Sequence, residues 1–323
     1  MFFSVIIPVF NRPQEIHELL NSLLAQEEKD FEVIIIEDGS EFTCSHIVEE
    51  FQELLNVRYL FIANVGQGFA RNYGMKQAFG NYFVLFDSDC IIPSSYFSLL
   101  KSAIIDRKLD AFGGPDAAGH DFSDFQKAMN YSMTSVFTTG GIRGKLKDPS
   151  KYQARGYNMG LSKEAFECSE GFVDPNKGED IELSIRLKKL GYKLELVEEA
   201  FVYHKRKNTI WNFFKQSFSF GQNRINVSRY HPEAIKLIHL MPAFFLVFEC
   251  SLLLMLLVYP YTNVFFIIGM LIFAIWKTSI FVHASVVNTS IKIGILSIIT
   301  SIGQLSAYGL GMITEGVKKI IKG

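Results

Sequence analysis

Three long apolar segments close this chain, and they limit its fold more than any other feature. They run over roughly 240–258, 263–283 and 293–313, each approaching the ~20 residues that a helix needs to cross a bilayer. Inside hydrocarbon the backbone must satisfy its own N–H and C=O groups, so such segments enter a membrane as helices. Glu249 and Lys277 are costly at that depth unless they face protein or reach the interface. The third segment carries Gly294, Ser297, Ser301, Gly303, Ser306, Gly309 and Gly311, which suits close helix packing in lipid. A buried helical core is the alternative; three such segments in succession, joined by very short loops, favour membrane insertion. The cations ahead of them, Lys205, Arg206, Lys207, Lys215, Arg224, Arg229 and Lys236, mark that side as cytoplasmic. Three full spans would carry Lys318, Lys319 and Lys322 outside, against the same rule. Either the bias at the first span dominates, or one segment is re-entrant or interfacial.

Up to about residue 236 the chain alternates polar and apolar stretches like a soluble α/β protein. The expected domains are therefore 1–236 and 237–323. A net charge of −1 gives no global reason for nucleic-acid binding. Cys44, Cys90, Cys168 and Cys250 are scattered, without the spacing of a zinc site or a disulfide framework. Met1 to Pro8 lacks the basic and small-residue parts of a signal peptide and reads as a first strand.

Strand signals fall at 3–9, 32–37, 57–62, 82–86, 111–113 and 193–197, with helical patterns at 13–26, 45–55 and 68–79 between the early ones. This alternation predicts βαβ units and a parallel sheet, whose ligands bind beyond the carboxyl ends of the strands. Polar residues collect at those ends: Asn11 and Arg12, Asp38-Gly39-Ser40, Asn64, and Asp87-Ser88-Asp89. The last group follows the apolar run Phe83 to Phe86. Strand alternation points Asp87 and Asp89 to one side, where two carboxylates repel unless a cation lies between them. Mg²⁺ and Mn²⁺ take such oxygens; a polar turn is the competing reading.

Asp38 can accept a base N–H or close a turn. The Gly66-Gln67-Gly68 approach to a helix places Arg71 in its first turns, as an anion contact or a surface residue. Gly178-Glu179-Asp180 opens another helix, where acids serve either as caps or as a base for an acceptor hydroxyl. His204 precedes three cations, a cluster suited to a diphosphate and metal shell or to anionic lipid head groups. Apolar positions across Phe122–Phe137 fit a helix at the membrane interface or in a core.

Taken in order, Ser4 to Asn11, Glu37-Asp38-Gly39-Ser40, Ala70-Arg71-Asn72-Tyr73-Gly74, Asp87-Ser88-Asp89, Asn158-Met159, Gly178-Glu179-Asp180 and His204 resemble family 2 glycosyltransferases over residues 1–230. Tyr308 to Gly311 is similar to the membrane tail of the bacterial exopolysaccharide, succinoglycan-biosynthesis type. The resemblance implies a GT-A fold, a nucleotide-sugar donor (a UDP-sugar), a divalent Mn²⁺ or Mg²⁺ ion and inversion. It places Pro8, Val9, Phe10 and Asp38 at the base, Asp87 at the ribose and Asp89 at the metal. Arg71 falls near the nucleotide and His204 near the metal or diphosphate. Asp180 becomes the general base, with Glu179 beside it, and Tyr157, Asn158 and Met159 line the sugar and acceptor cleft.

Processive members carry Q-x-x-R-W before their membrane helices; Gln222-Asn223-Arg224-Ile225 lacks that spacing, which argues for single additions. The expected function is inverting, metal-dependent transfer to a hydroxyl of a lipid-linked saccharide in surface polysaccharide biosynthesis, at the inner membrane with the catalytic part cytoplasmic. A polyisoprenyl-phosphate glycosyltransferase and a catalytically dead nucleotide-sugar-binding membrane protein are the alternatives.

Overall fold

The computed structural model describes residues 1–117, 122–139, 148–204, 209–258 and 264–321, with His204 described by its backbone alone. By compactness the chain forms two units, Met1–Gly119 with Leu146–Lys205, and His120–Lys145 with Arg206–Gly323. The division thus falls near residue 205, earlier than the 236/237 line drawn from hydropathy.

The first unit begins with β1 (Phe3–Val9), α1 (Pro13–Leu24), β2 (Phe31–Asp38), α2 (Ser45–Phe51), β3 (Val57–Ile62), α3 (Gln67–Gln77) and β4 (Tyr82–Phe86). Then come β5 (Cys90–Ile91), α4 (Tyr96–Arg107), β6 (Ala111–Gly113) and β7 (Asp116–Ala117). Its second stretch supplies β8 (Asn158–Ser162), α7 (Lys163–Ser169), α8 (Glu179–Lys189), β9 (Leu194–Leu196) and β10 (Val202–His204). The main sheet has the order β3-β2-β1-β4-β8-β6-β9, and β5-β10-β7 form a small second sheet. Strands β1 to β4 are parallel, as their alternation with helices predicts.

Period-two alternation divides the core between the two faces of the sheet. Val5, Ile7, Val33, Ile35 and Val84 join Leu19, Leu23, Val48 and Phe97 on one face. Ile6, Ile34, Ile36, Phe83 and Leu85 join Ala70, Phe166, Leu183 and Leu187 on the other. A strand covered on both faces must be apolar nearly throughout, hence the unbroken runs in the sequence.

Strand β8 is the element the sequence conceals. It runs antiparallel between β4 and β6, yet Asn158 to Ser162 holds no β-branched or aromatic residue, the usual strand markers. Gly160 permits the fit, because a Cβ there would lie 2.4 Å from both Phe112 Cε1 and the Phe83 carbonyl oxygen.

The second unit contains α5 (Asp124–Thr134), α6 (Val136–Thr139), α9 (Ile210–Tyr230), α10 (Leu237–Val258), α11 (Val264–Val287) and α12 (Ile291–Ile321). The last three, of 22, 24 and 31 residues, are long and apolar enough to cross a membrane, since ~20 helical residues cover its hydrocarbon core. Glycines set their spacing: a Cβ on Gly221 would lie 2.0 Å from the Tyr308 carbonyl oxygen, and one on Gly311 2.0 Å from that of Phe218. Glu249 faces protein, accepting a hydrogen bond from Ser306, and Lys277 lies 4.7 Å from the Phe273 ring centroid. Helix α5 packs in a core within this unit, with Met129 and Met133 against Phe213 and the Ser132 hydroxyl donating to Thr300 Oγ1 at 2.9 Å. A cavity of about 1010 Å³ opens among α9, α10, α11 and α12, its lining almost wholly apolar apart from Lys215, Ser219, Gln222, Glu249 and Ser306.

Candidate active site

The carboxyl ends of β1, β2 and β4 carry the polar residues that the sequence marks. Asn11, at a left-handed φ of 54°, ties two of these ends together. Its N–H donates to Ser40 Oγ at 2.8 Å, and its Oδ1 accepts from the N–H groups of Glu41 and Phe42 at 2.9 and 3.0 Å. Asp38 is buried; its two oxygens accept from the N–H groups of Val65 and Gly66 at 2.7 and 2.9 Å. It therefore pins the loop that enters α3, a longer reach than the local turn its sequence allows. Phe10 is exposed, Pro8 is half-buried, and the Val9 side chain lies in the core.

Arg71 organises the other side of the site. Its guanidinium is wholly buried, with Nη2 donating to Asp87 Oδ1 at 2.5 Å and Nη1 3.5 Å from Glu179 Oε1. A Cβ on Gly156 would sit 2.8 Å from both terminal nitrogens, so the glycine leaves them room. Expected near the nucleotide or on the surface, Arg71 has no exposed side chain to offer a ligand. It instead lashes the end of β4 to the start of α8. Asn72, the next residue, clasps the Phe172 backbone, accepting from its N–H and donating to its carbonyl, both at 2.8 Å. The Gly68 N–H donates to the Pro175 carbonyl at 2.8 Å. Together these bonds fix the approach to α8 against α3.

At the start of α8 the two acids part company. Glu179 is buried and accepts from Gln67 Nε2 at 2.6 Å. Burial, helped by the charge of Asp180 and opposed by Arg71, pushes its pKa up to about 7, as desolvation does to a carboxylate. Asp180 is half-buried, and its Oδ2 accepts from the Gly156 N–H at 3.3 Å.

Two of the three residues expected to line the acceptor cleft do not reach it. Asn158 is wholly buried, accepting from the Tyr96 hydroxyl at 2.6 Å and donating to the Pro115 and Ala200 carbonyls at 3.3 and 2.8 Å. Its amide is a cross-brace between strands and loops. Met159 is core, because β8 alternation turns it inward. Tyr157 is half-buried, and its hydroxyl donates to Asp116 Oδ1 at 3.2 Å.

Asp89 is also buried, and Arg12 Nη1 donates to its Oδ2 at 3.2 Å. The sequence places Arg12 among the strand-end residues without giving it a role. Asp87 and Asp89 present the hard carboxylate oxygens that Mg²⁺ and Mn²⁺ take, so this donor set fits a divalent ion. Among the described residues no three His, Cys, Asp or Glu side chains converge as a metal cluster. Substrate phosphate oxygens and water are the usual remaining ligands of an ion held by so few carboxylates. The His204 backbone pairs with Cys90, the residue after Asp89; its side chain and Lys205, Arg206 and Lys207 lie outside the described residues.

A family model described as Glycosyl transferase family 2 matches residues 4–169, just over half of the chain. The chain belongs to that family. The family 2 match takes in Asp38, Arg71, Asp87, Asp89 and Asn158, and ends before Glu179 and Asp180. An uncharacterized glycosyltransferase of Rickettsia felis is 42% identical over 86 residues, 27% of this chain and 14% of that protein. The chondroitin synthase of Escherichia coli is 28% identical over 240 residues, 62% of this chain and 34% of the synthase. This chain thus spans about a third or less of these relatives. Among solved structures, the mannosyltransferase PcManGT from Pyrobaculum calidifontis, in complex with GDP-Man and Mn²⁺, is similar with a TM-score of 0.69 and 14% identity. That match covers 98% of this chain and 87% of the mannosyltransferase, and it shows a shared fold.

Proposed function

We propose that this chain transfers a single sugar from a nucleotide-sugar, a UDP-sugar, to a hydroxyl of a lipid-linked saccharide, with inversion and with a divalent ion. The observation that carries this reading is the buried Arg71 bridge, which gathers Asp87 and the Glu179-Asp180 pair from distant parts of the sequence. Exposed Phe10 and half-buried Pro8 offer a surface for the base, beside the loop that Asp38 pins. Asp87, about a third exposed, faces the ribose. Asp89, with His204, would hold the ion, which when bound supplies positive charge to the departing diphosphate.

Asp180 takes the proton from the acceptor hydroxyl. It is the more accessible of the two acids, and the Gly156 N–H steadies its carboxylate. Buried Glu179 holds the start of α8 through Gln67 and Arg71. Attack opposite the leaving diphosphate inverts the anomeric carbon. Three bilayer-length helices and the apolar cavity among them support a lipid-linked acceptor at the cytoplasmic face of the inner membrane, in surface polysaccharide synthesis. A polyisoprenyl-phosphate acceptor is already ionised and needs no base, so the accessible Asp180 favours a hydroxyl acceptor.

An Asp180→Asn protein should bind donor as the wild type does and lose transfer by about 10²-fold or more. Membranes carrying each protein, supplied with radiolabelled UDP-sugars, give the comparison, with mass spectrometry of the lipid fraction to identify the product. Wild-type turnover by the variant would remove Asp180 from the mechanism.

A further inference from the structure

We propose that Arg12 is a stand-in cation, holding Asp89 while no divalent ion is bound and passing to the donor diphosphate when one arrives. The inference rests on the reading of Asp89 as an ion ligand.

The two arginines at the end of β4 are held very differently. Arg71 is wholly buried and grips Asp87 at 2.5 Å. Arg12 has a side chain 42% exposed and touches two carboxylates through one nitrogen, Asp89 Oδ2 at 3.2 Å and Glu15 Oε2 at 3.4 Å. A single shared nitrogen is far from the bidentate fork that makes an arginine pair strong, and although Asp89 is buried, the Arg12 end of the pair is open to water. The contact is exchangeable.

Its backbone, by contrast, is fixed. Asn11, the preceding residue, is bonded to Ser40, Glu41 and Phe42, and α1 begins at the following residue, Pro13. Glu15 is held in turn, accepting from the Ser88 hydroxyl at 2.7 Å. Arg12 is thus a mobile charge on a rigid post beside the strand-end carboxylates. An ion binding at Asp89 repels this guanidinium and replaces it. Displaced, the guanidinium stays within a side chain's length of Asp89, and its planar donors match phosphate oxygens.

The test uses the full chain in detergent, as wild type, Arg12→Gln and Arg12→Lys, with thermal melts to establish that each is folded. Mn²⁺ is titrated alone by calorimetry, and UDP and GDP are then titrated in saturating Mn²⁺. Removing the competing cation should tighten Mn²⁺ binding by Arg12→Gln about fivefold. Removing a phosphate partner should weaken nucleotide binding about tenfold. Arg12→Lys should recover part of the nucleotide affinity. Opposite signs for the two ligands are what a purely structural arginine would not produce. Shifts of the same sign, or an unchanged Mn²⁺ affinity in Arg12→Gln, would overturn the inference while leaving the glycosyltransferase reading intact. A wild type that binds nucleotide but no Mn²⁺ overturns both the stand-in role and the metal dependence. A wild type that binds neither overturns the donor reading as well.

Discussion

Glu179 and Asp180 show how little sequence adjacency says about chemistry. One sits on a buried arginine and a glutamine, the other is half-buried and accepts from the Gly156 N–H. Raised to about 7 by burial, Glu179 holds a proton more tightly folded than unfolded. Its contribution to stability is therefore complete below its unfolded pKa of about 4.5 and is lost as pH rises through 7. A neutral Glu179→Gln protein lacks this loss. Thermal melts at pH 5 and pH 8 should show the variant gaining on the wild type at the higher pH, by roughly 3 kcal/mol at most. An equal gap at both pH values would mean that Glu179 ionises normally.

Other residues repeat the lesson. The acidic positions were legible because strand ends and helix starts are local features. The burial of Arg71 and Asn158 was not, because each is enclosed by segments far away in sequence: Arg71 by Gly156, Phe172 and Glu179, Asn158 by Tyr96, Pro115 and Ala200.

Among elements, legibility followed periodicity. Strands β1 to β4 and the helices between them announce themselves through apolar runs and 3.6-residue faces. The central antiparallel strand β8 carries neither signal, and its place depends on a glycine fitting beneath Phe112. The same kind of constraint joins α9 to α12. Gly221 and Gly311 bring backbone against backbone, as small residues do between membrane helices. Gly221→Leu should lower the melting temperature in detergent by several degrees through overpacking. Gly316→Leu, in the same helix pair but with open space around it, should change it little. Equal responses would show that the close approach is not structural.

The whole molecule is discontinuous in a way that hydropathy hides. Residues 120–145 lie between two stretches of the catalytic unit yet belong with the apolar tail. The bilayer-length helices were visible from composition. This insertion was not, because α5 reads equally well as a core helix of either part; its contacts, those with Phe213, Thr300 and His283 among them, assign it.

The insertion governs how the protein can be dissected. A chain cut after residue 205, where the first unit ends, would keep α5 and strip away its partners. Met129 and Met133 would then lie bare, and gel filtration should find aggregates. Cutting at the same place while replacing 120–145 with a short glycine-serine linker should give a monodisperse product. A well-behaved product from the simple cut would show that α5 needs no partner from the tail.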